Sequence, residues 1–243
     1  MTDKFEWQTN LVRLSFFPPP DFEMNENWWQ ELTDEIPEVE NTNRRTGTHQ
    51  FEGEHKDGKL ILRIQPVRID WLYLAVDKPE ISEPASLGEF EQSTEYFTKL
   101  IKQWINTTPV EKFNRIAFGA VVYHTIENVF DGYQLLENKF LQMKPNFDEN
   151  TSDFLFHINR KRQSNILEDL TINRLSKWSV ATFQKLQFAP APVALPESYA
   201  LWLELDINSS QHWQGDLSLK NAEDLVEEFL SLGYEVSQEG DIS

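Results

Sequence analysis

TGTHQFEGEHKDGKLILRIQPVRIDWLYLAV, residues 46–76, decides the fold class. Residues 46–55 and 60–65 flank Lys56-Asp57-Gly58-Lys59, whose Asp-Gly pair supplies the positive-φ positions a tight hairpin turn prefers. A third run, 68–76, follows Pro66, so the spacing predicts an antiparallel meander. Next, Ser86 and Glu89 stand in capping-box spacing, and Phe90, Phe97, Ile101 and Trp104 recur on one face of a predicted helix, widened by Tyr96 and Leu100. The segment 106–109 closes it. A pleated layer with one apolar face needs a cover, and an amphipathic helix directly after it supplies one.

Upstream of the meander, residues 10–17 alternate Val12, Leu14 and Phe16 with Leu11, Arg13 and Ser15, the period of a half-buried strand. Pro18, Pro19 and Pro20 end it, since none can donate to a sheet ladder. A short helix is expected over 25–32, carrying Trp28 and Trp29 and stopping near Pro37, and the polar stretch 38–47 is expected as a loop.

Downstream the same order returns. Residues 115–127 form a strand pattern with Ile116, Phe118, Ala120, Val122 and Ile126 on one face, and 131–143 a short helix with Tyr133, Leu136 and Phe140 inward. Strands are predicted at 154–160, at 171–186 with a bend, and at 199–208, where Tyr199, Leu201, Leu203, Leu205 and Ile207 alternate with Ala200, Trp202, Glu204 and Asp206. A closing helix over 219–232 places Ala222, Leu225, Val226 and Phe229 on one face and stops at Gly233, a residue suited to a left-handed cap. Residues 238–243 are expected to fray. The fold class is therefore α+β. Two similar halves, 1–109 and 110–243, each lay a long helix across a curved antiparallel sheet and pack as one unit. A helix-grip or TATA-binding-protein-like saddle is the analogy in element order.

Composition bounds the function. Forty acidic against 22 basic side chains give a net charge of −18, a field that repels phosphate backbones and attracts cationic partners, so general nucleic-acid binding is disfavoured. The absence of cysteine excludes disulfides and thiolate metal sites and fits a reducing compartment. Without a basic, apolar leader or a membrane-length apolar run, the expectation is a cytoplasmic protein with no membrane contact, in which the triplets at Asn106, Asn150 and Asn208 are chance glycosylation signals.

Catalytic chemistry finds no anchor, and no cofactor or metal is expected. His49, His55, His124, His157 and His212 lack metal-ligand spacing; Glu204 and Asp206 share a strand face, as a metal site or acid–base pair would require, but also as any solvated strand does. Gly119 stands alone in a strand, the mark of a bulge or close packing rather than a phosphate cradle. Two surface features remain. Residues 21–40 hold eight carboxylates and no Lys or Arg around Phe22, Met24, Trp28, Trp29, Leu32 and Ile36. Trp28, Trp29, Glu31, Asp34 and Glu35 form a candidate contact surface for another protein with a basic patch, with the alternative that both tryptophans cap the core. Adjacent helical residues point about 100° apart, so one of the two is expected at the core edge or an interface. Arg160, Lys161 and Arg162 are a candidate anion contact, or else a solvated hairpin tip.

Three segments, 58–74 (GKLILRIQPVRIDWLYL), 115–133 (RIAFGAVVYHTIENVFDGY) and 201–208 (LWLELDIN), together resemble a sporadically distributed prokaryotic protein family of similar length. In that family a strand pair precedes a long helix, followed by an Arg-x-x-x-x-Tyr-type strand and an acidic-hydrophobic final strand. The resemblance implies a fold and a defence- or mobile-element-linked distribution, and no reaction. The expected function is a non-enzymatic protein-interaction module, an accessory, inhibitor or immunity-type subunit of a prokaryotic defence system. The alternatives are an acidic nucleic-acid mimic and an enzyme with a site between the halves.

Overall fold

The computed structural model describes residues 4–78, 81–187, 193–213, 215 and 217–241. The first part of the chain runs β1 (Gln8–Phe17), α1 (Trp28–Thr33), β2 (Val39–Asn43), β3 (Thr48–His55), β4 (Gly58–Gln65), β5 (Arg68–Ala75) and α2 (Phe90–Thr107). The rest runs β6 (Lys112–Phe113), β7 (Arg115–Ile126), α3 (Val129–Leu135), a wide π-type turn (Leu136–Phe140), β8 (Leu155–Asn159), β9 (Arg162–Gln163) and β10 (Thr171–Phe183). It closes with β11 (Leu186–Gln187), β12 (Val193–Ala194), β13 (Ser198–Ser209), β14 (Leu217–Ser218) and α4 (Leu219–Glu239).

The architecture is mixed α+β, built on one large antiparallel sheet in the order β2-β3-β4-β5-β1-β7-β13-β10-β8, with β9 also on β10. The antiparallel sheet expected in each half is thus part of one sheet, continuous across residue 109. The join is β1 against β7, with Val12 opposite Ala120, Leu14 opposite Phe118 and Phe16 opposite Ile116. Each strand spends its other backbone edge within its own part of the chain, β1 on β5 and β7 on β13, so no amide row is left bare at the centre.

One face of this sheet is the core. Val12, Leu14, Phe16, Leu60, Leu62, Trp71, Ile116, Phe118, Val122, Leu201, Leu203 and Ile207 are buried there. Both long helices cover it from the same side: Phe97, Ile101 and Trp104 of α2 and Leu225, Val226 and Phe229 of α4 are buried, with Trp104 packed against Phe16 at 5.0 Å between ring centres. At roughly 25 cal/mol per Å² of apolar surface, this aromatic-rich layer is the main stabilising element of the fold.

Several boundaries differ from the sequence expectation, each for a local reason. The polar run 39–43, expected as loop, is an edge strand with all five residues exposed; pairing on one side with β3 requires no apolar period. Helix α2 starts at Phe90, not Ser86, because the Leu87 amide donates to the Thr9 carbonyl and the Thr9 amide to that of Gly88, holding this stretch against β1. The predicted helix over 131–143 is α3 followed by the π-type turn. Helix α4 does not stop at Gly233. That residue lies inside the helix where it meets the sheet, a Cβ there would fall 3.2 Å from Phe118, and the cap is Gly240 at φ 83°. Nor does the C-terminus fray up to residue 241: Gln238 exchanges hydrogen bonds with the Phe5 backbone at 2.8 and 2.9 Å, and Asp241 is buried. Residues 242–243 of that expectation lie outside the described residues.

Candidate functional site

Helix α1 places the sequence-predicted partner residues. Trp28 and Trp29 are both in the core, 0% and 2% exposed, which corrects the expectation that one would reach an edge or interface. The 100° between them is accommodated because the helix wedges between two aromatic walls. Trp28 meets Trp104 of α2 edge-on at 5.4 Å, and Trp29 stacks on Trp71 of the sheet at 6.4 Å. Gly53 of β3 makes room for Trp29, since a Cβ there would stand 3.0 Å from the indole. Glu31, Asp34 and Glu35 are exposed, and none of the three pairs with a Lys or Arg among the described residues.

The same acidic segment borders a groove of about 470 Å³. Its apolar walls are Pro19, Phe22, Pro109 and Val110, and its rim carries Asp21, Glu23 and Glu111, all exposed, with Lys112 also on the lining. The three prolines after β1 turn the chain here, and the end of α2 brings 109–112 alongside. An apolar trough under three carboxylates suits a side chain with a long aliphatic stem and a cationic head.

The basic island is placed otherwise than as a cluster facing solvent. Arg160 donates from Nε to the Asp241 carbonyl at 3.2 Å and from Nη2 to its carboxylate at 3.4 Å. Arg162 reaches Glu235 at 2.9 Å, sharing that carboxylate with the buried Arg174 at 2.6 Å. Both arginines therefore tie the end of α4 to the outer strands, and of the three Lys161 alone is exposed.

The second face of the sheet carries a polar row that sequence reading did not single out. Gln50, Arg63, Asp70, Ser15, Ala117, Asn208 and Asn173 stand opposite one another on consecutive strands. Arg63 donates to Gln50 at 2.8 Å, Ser15 to Asp70 at 2.5 Å, Arg68 to the same Asp70 oxygen at 2.8 Å, and Arg115 to Asn208 at 2.7 Å. One position along, the Arg13 guanidinium lies over Gly119 and reaches toward Asp206 at 3.9 Å, while its Nε is buried without a hydrogen-bond partner among the described residues. A shallow cavity of about 340 Å³ opens beside it over Leu11, Val121, Leu175 and His157. Among the described residues, the stretch 81–86 lies over the far end of this face, where Tyr123 donates to the Pro84 carbonyl at 2.7 Å and stacks on Trp202. The available sequence signal was Arg13, Ser15 and Asp70 at positions alternating with apolar ones; the pairing that unites them depends on the β1–β7 join.

The remaining candidates resolve into ordinary contacts. Glu204 pairs with Lys177 at 2.8 Å, and Asp206 accepts from Asn208 at 2.9 Å. His55 bonds the Tyr96 hydroxyl at 2.7 Å, and burial holds its pKa below the usual histidine range. Among the described residues no group of three or more His, Cys, Asp or Glu is arranged to hold a metal ion, and no helix is long and apolar enough to cross a membrane. No family model, curated protein or solved structure matches the chain.

Proposed function

We propose that this protein is a non-enzymatic interaction module that docks a basic, partly apolar segment of another protein in the acidic groove beside α1. The observation that supports this reading is the groove itself: an apolar trough of about 470 Å³ rimmed by Asp21, Glu23 and Glu111. The same acidic segment, 21–40, also carries Glu31, Asp34 and Glu35, whose charges no Lys or Arg neutralises among the described residues. With the tryptophans in the core, the contact comes from these carboxylates, Phe22 and the exposed Ile36. The net charge of −18 adds long-range attraction for a cationic partner. Service as an accessory or inhibitory subunit in a prokaryotic defence system, in the cytoplasm, belongs to the same proposal; it is motivated by the resemblance of 58–74, 115–133 and 201–208 and by the lack of cysteine.

The two parts of the chain are, on this reading, copies of one unit. In each, the first long strand (β1 or β7) is central, the last long strand (β5 or β13) pairs with it, a short helix follows the first long strand and a long helix comes near the end. The two first long strands, β1 and β7, meet antiparallel, as a two-fold relation through the sheet centre requires.

The docking reading is tested with a labelled peptide of alternating arginine and leucine, followed by fluorescence anisotropy at several salt concentrations. Reversing Asp21 and Glu23 to Lys should weaken binding by about tenfold or more, whereas reversing the exposed Glu149 and Glu168, an equal change in net charge, should leave it within about twofold. Equal losses in both variants would reduce the effect to bulk charge and defeat the proposal. So would a groove variant that binds like the wild type.

A further inference from the structure

At the end of the sheet where β1 stops and β7 begins, two arginines share one aromatic ring. The guanidinium carbons of Arg68 and Arg115 lie 5.6 and 5.1 Å from the centre of the Phe17 ring. Their hydrogen bonds are unequal in kind. Arg68 is compensated: its Nε donates to Asp70 at 2.8 Å and its Nη2 to Ser15 at 3.3 Å. Arg115 donates from Nε to the Ser209 carbonyl at 3.1 Å and from Nη2 to Asn208 Oδ1 at 2.7 Å, both neutral acceptors. No carboxylate lies within ion-pair distance of it among the described residues. Burial lowers its pKa most, the Asp206 carboxylate works against that shift, and the neighbouring Arg68 cation lowers it further.

Two like charges are thus held against one ring with a single carboxylate between them, in a chain that has 40 acidic side chains to 22 basic. Such an excess of acids could have neutralised the pair many times over. Leaving a half-buried arginine uncompensated costs free energy in the empty protein, and a bound anion removes that cost. The Nη1 groups of both arginines make no hydrogen bond among the described residues, so each fork keeps donors for an outside acceptor. Asp70, 3% exposed, already accepts from Ser15 and Arg68 within the sheet network.

We propose that Arg68 and Arg115, held on Phe17, bind a phosphate-type oxyanion on the open face of the sheet. Arg115 supplies the charge with no ion-pair partner, Arg68 the second fork, and Phe17 the platform on which both guanidinium groups rest. The site requires no occupant of the acidic groove, so either can fail without the other.

The test is calorimetric titration of the whole protein with inorganic phosphate at neutral pH, with sodium chloride adjusted to hold ionic strength constant. Saturable one-to-one binding is expected, weakened about tenfold or more in Arg115→Gln and in Arg68→Gln. Methyl phosphate is the second arm. Binding as tight as that of phosphate would mean the site takes a phosphoryl group carried on a larger ligand, and binding of phosphate alone a free ion; both support the site. Because either variant could disturb the fold, the Nε resonances of Arg68 and Arg115 are followed in the wild type during the same titration. No saturable binding at matched ionic strength overturns the proposal, as does phosphate binding that leaves both resonances unmoved.

Discussion

At the scale of single residues, Trp28 shows how a side chain suited to an interface ends in the core. The sequence displays two adjacent tryptophans among carboxylates, a pattern that fits partner anchors and core caps equally; what separates them is the aromatic wall made by Trp104 and Trp71, two residues far along the chain. The indole N–H groups of Trp28, Trp29, Trp71 and Trp104 are all buried without a hydrogen-bond partner among the described residues, so these rings contribute packing at a polar cost. Trp28→Ala should therefore cost about 3–5 kcal/mol in chemical denaturation, while Trp28→Phe, which discards the orphaned donor along with some volume, should cost much less. A Trp28→Ala variant of wild-type stability would contradict the packing described for α1.

At the scale of elements, strands were legible wherever an apolar period was present. The alternation over 10–17, 115–127 and 199–208 predicts β1, β7 and β13 to within a few residues. Strand β2 was hidden because its five exposed residues, VENTN, have no buried face and therefore no period to read. The true end of α4 was hidden for the opposite reason: Gly233 looks like a terminator in sequence, and only the nearby Phe118 explains it as a point of close approach. Amide hydrogen exchange should follow this hierarchy. β1 and β7, paired on both edges under both long helices, should exchange slowest, and β2, exposed and paired on one side, should exchange among the fastest strands. Slow exchange in β2 of the isolated protein would show that something else covers this edge.

At the scale of the whole molecule, the fold class and the long helices as covers were visible in the chain, and the single sheet was not. Pairing between β1 and β7 joins residues about a hundred positions apart, and no local pattern records which strand edges meet. The site followed suit: the acidic segment was plain from composition, but the groove against 109–112 and the arginine pair on Phe17 exist only once the ends of β1 and β7 are brought together. The chain has no cysteine, so an introduced pair gives an unambiguous cross-link. Leu11 and Val121 stand opposite each other on β1 and β7 with their side chains on the open face. Oxidation of the Leu11→Cys, Val121→Cys double variant at low concentration should give a monomer with an internal disulfide and a retained fold. Thiols that stay reduced, or that link only between molecules, would mean the two strands are not neighbours and that the single sheet, its open face and both proposed sites are wrong.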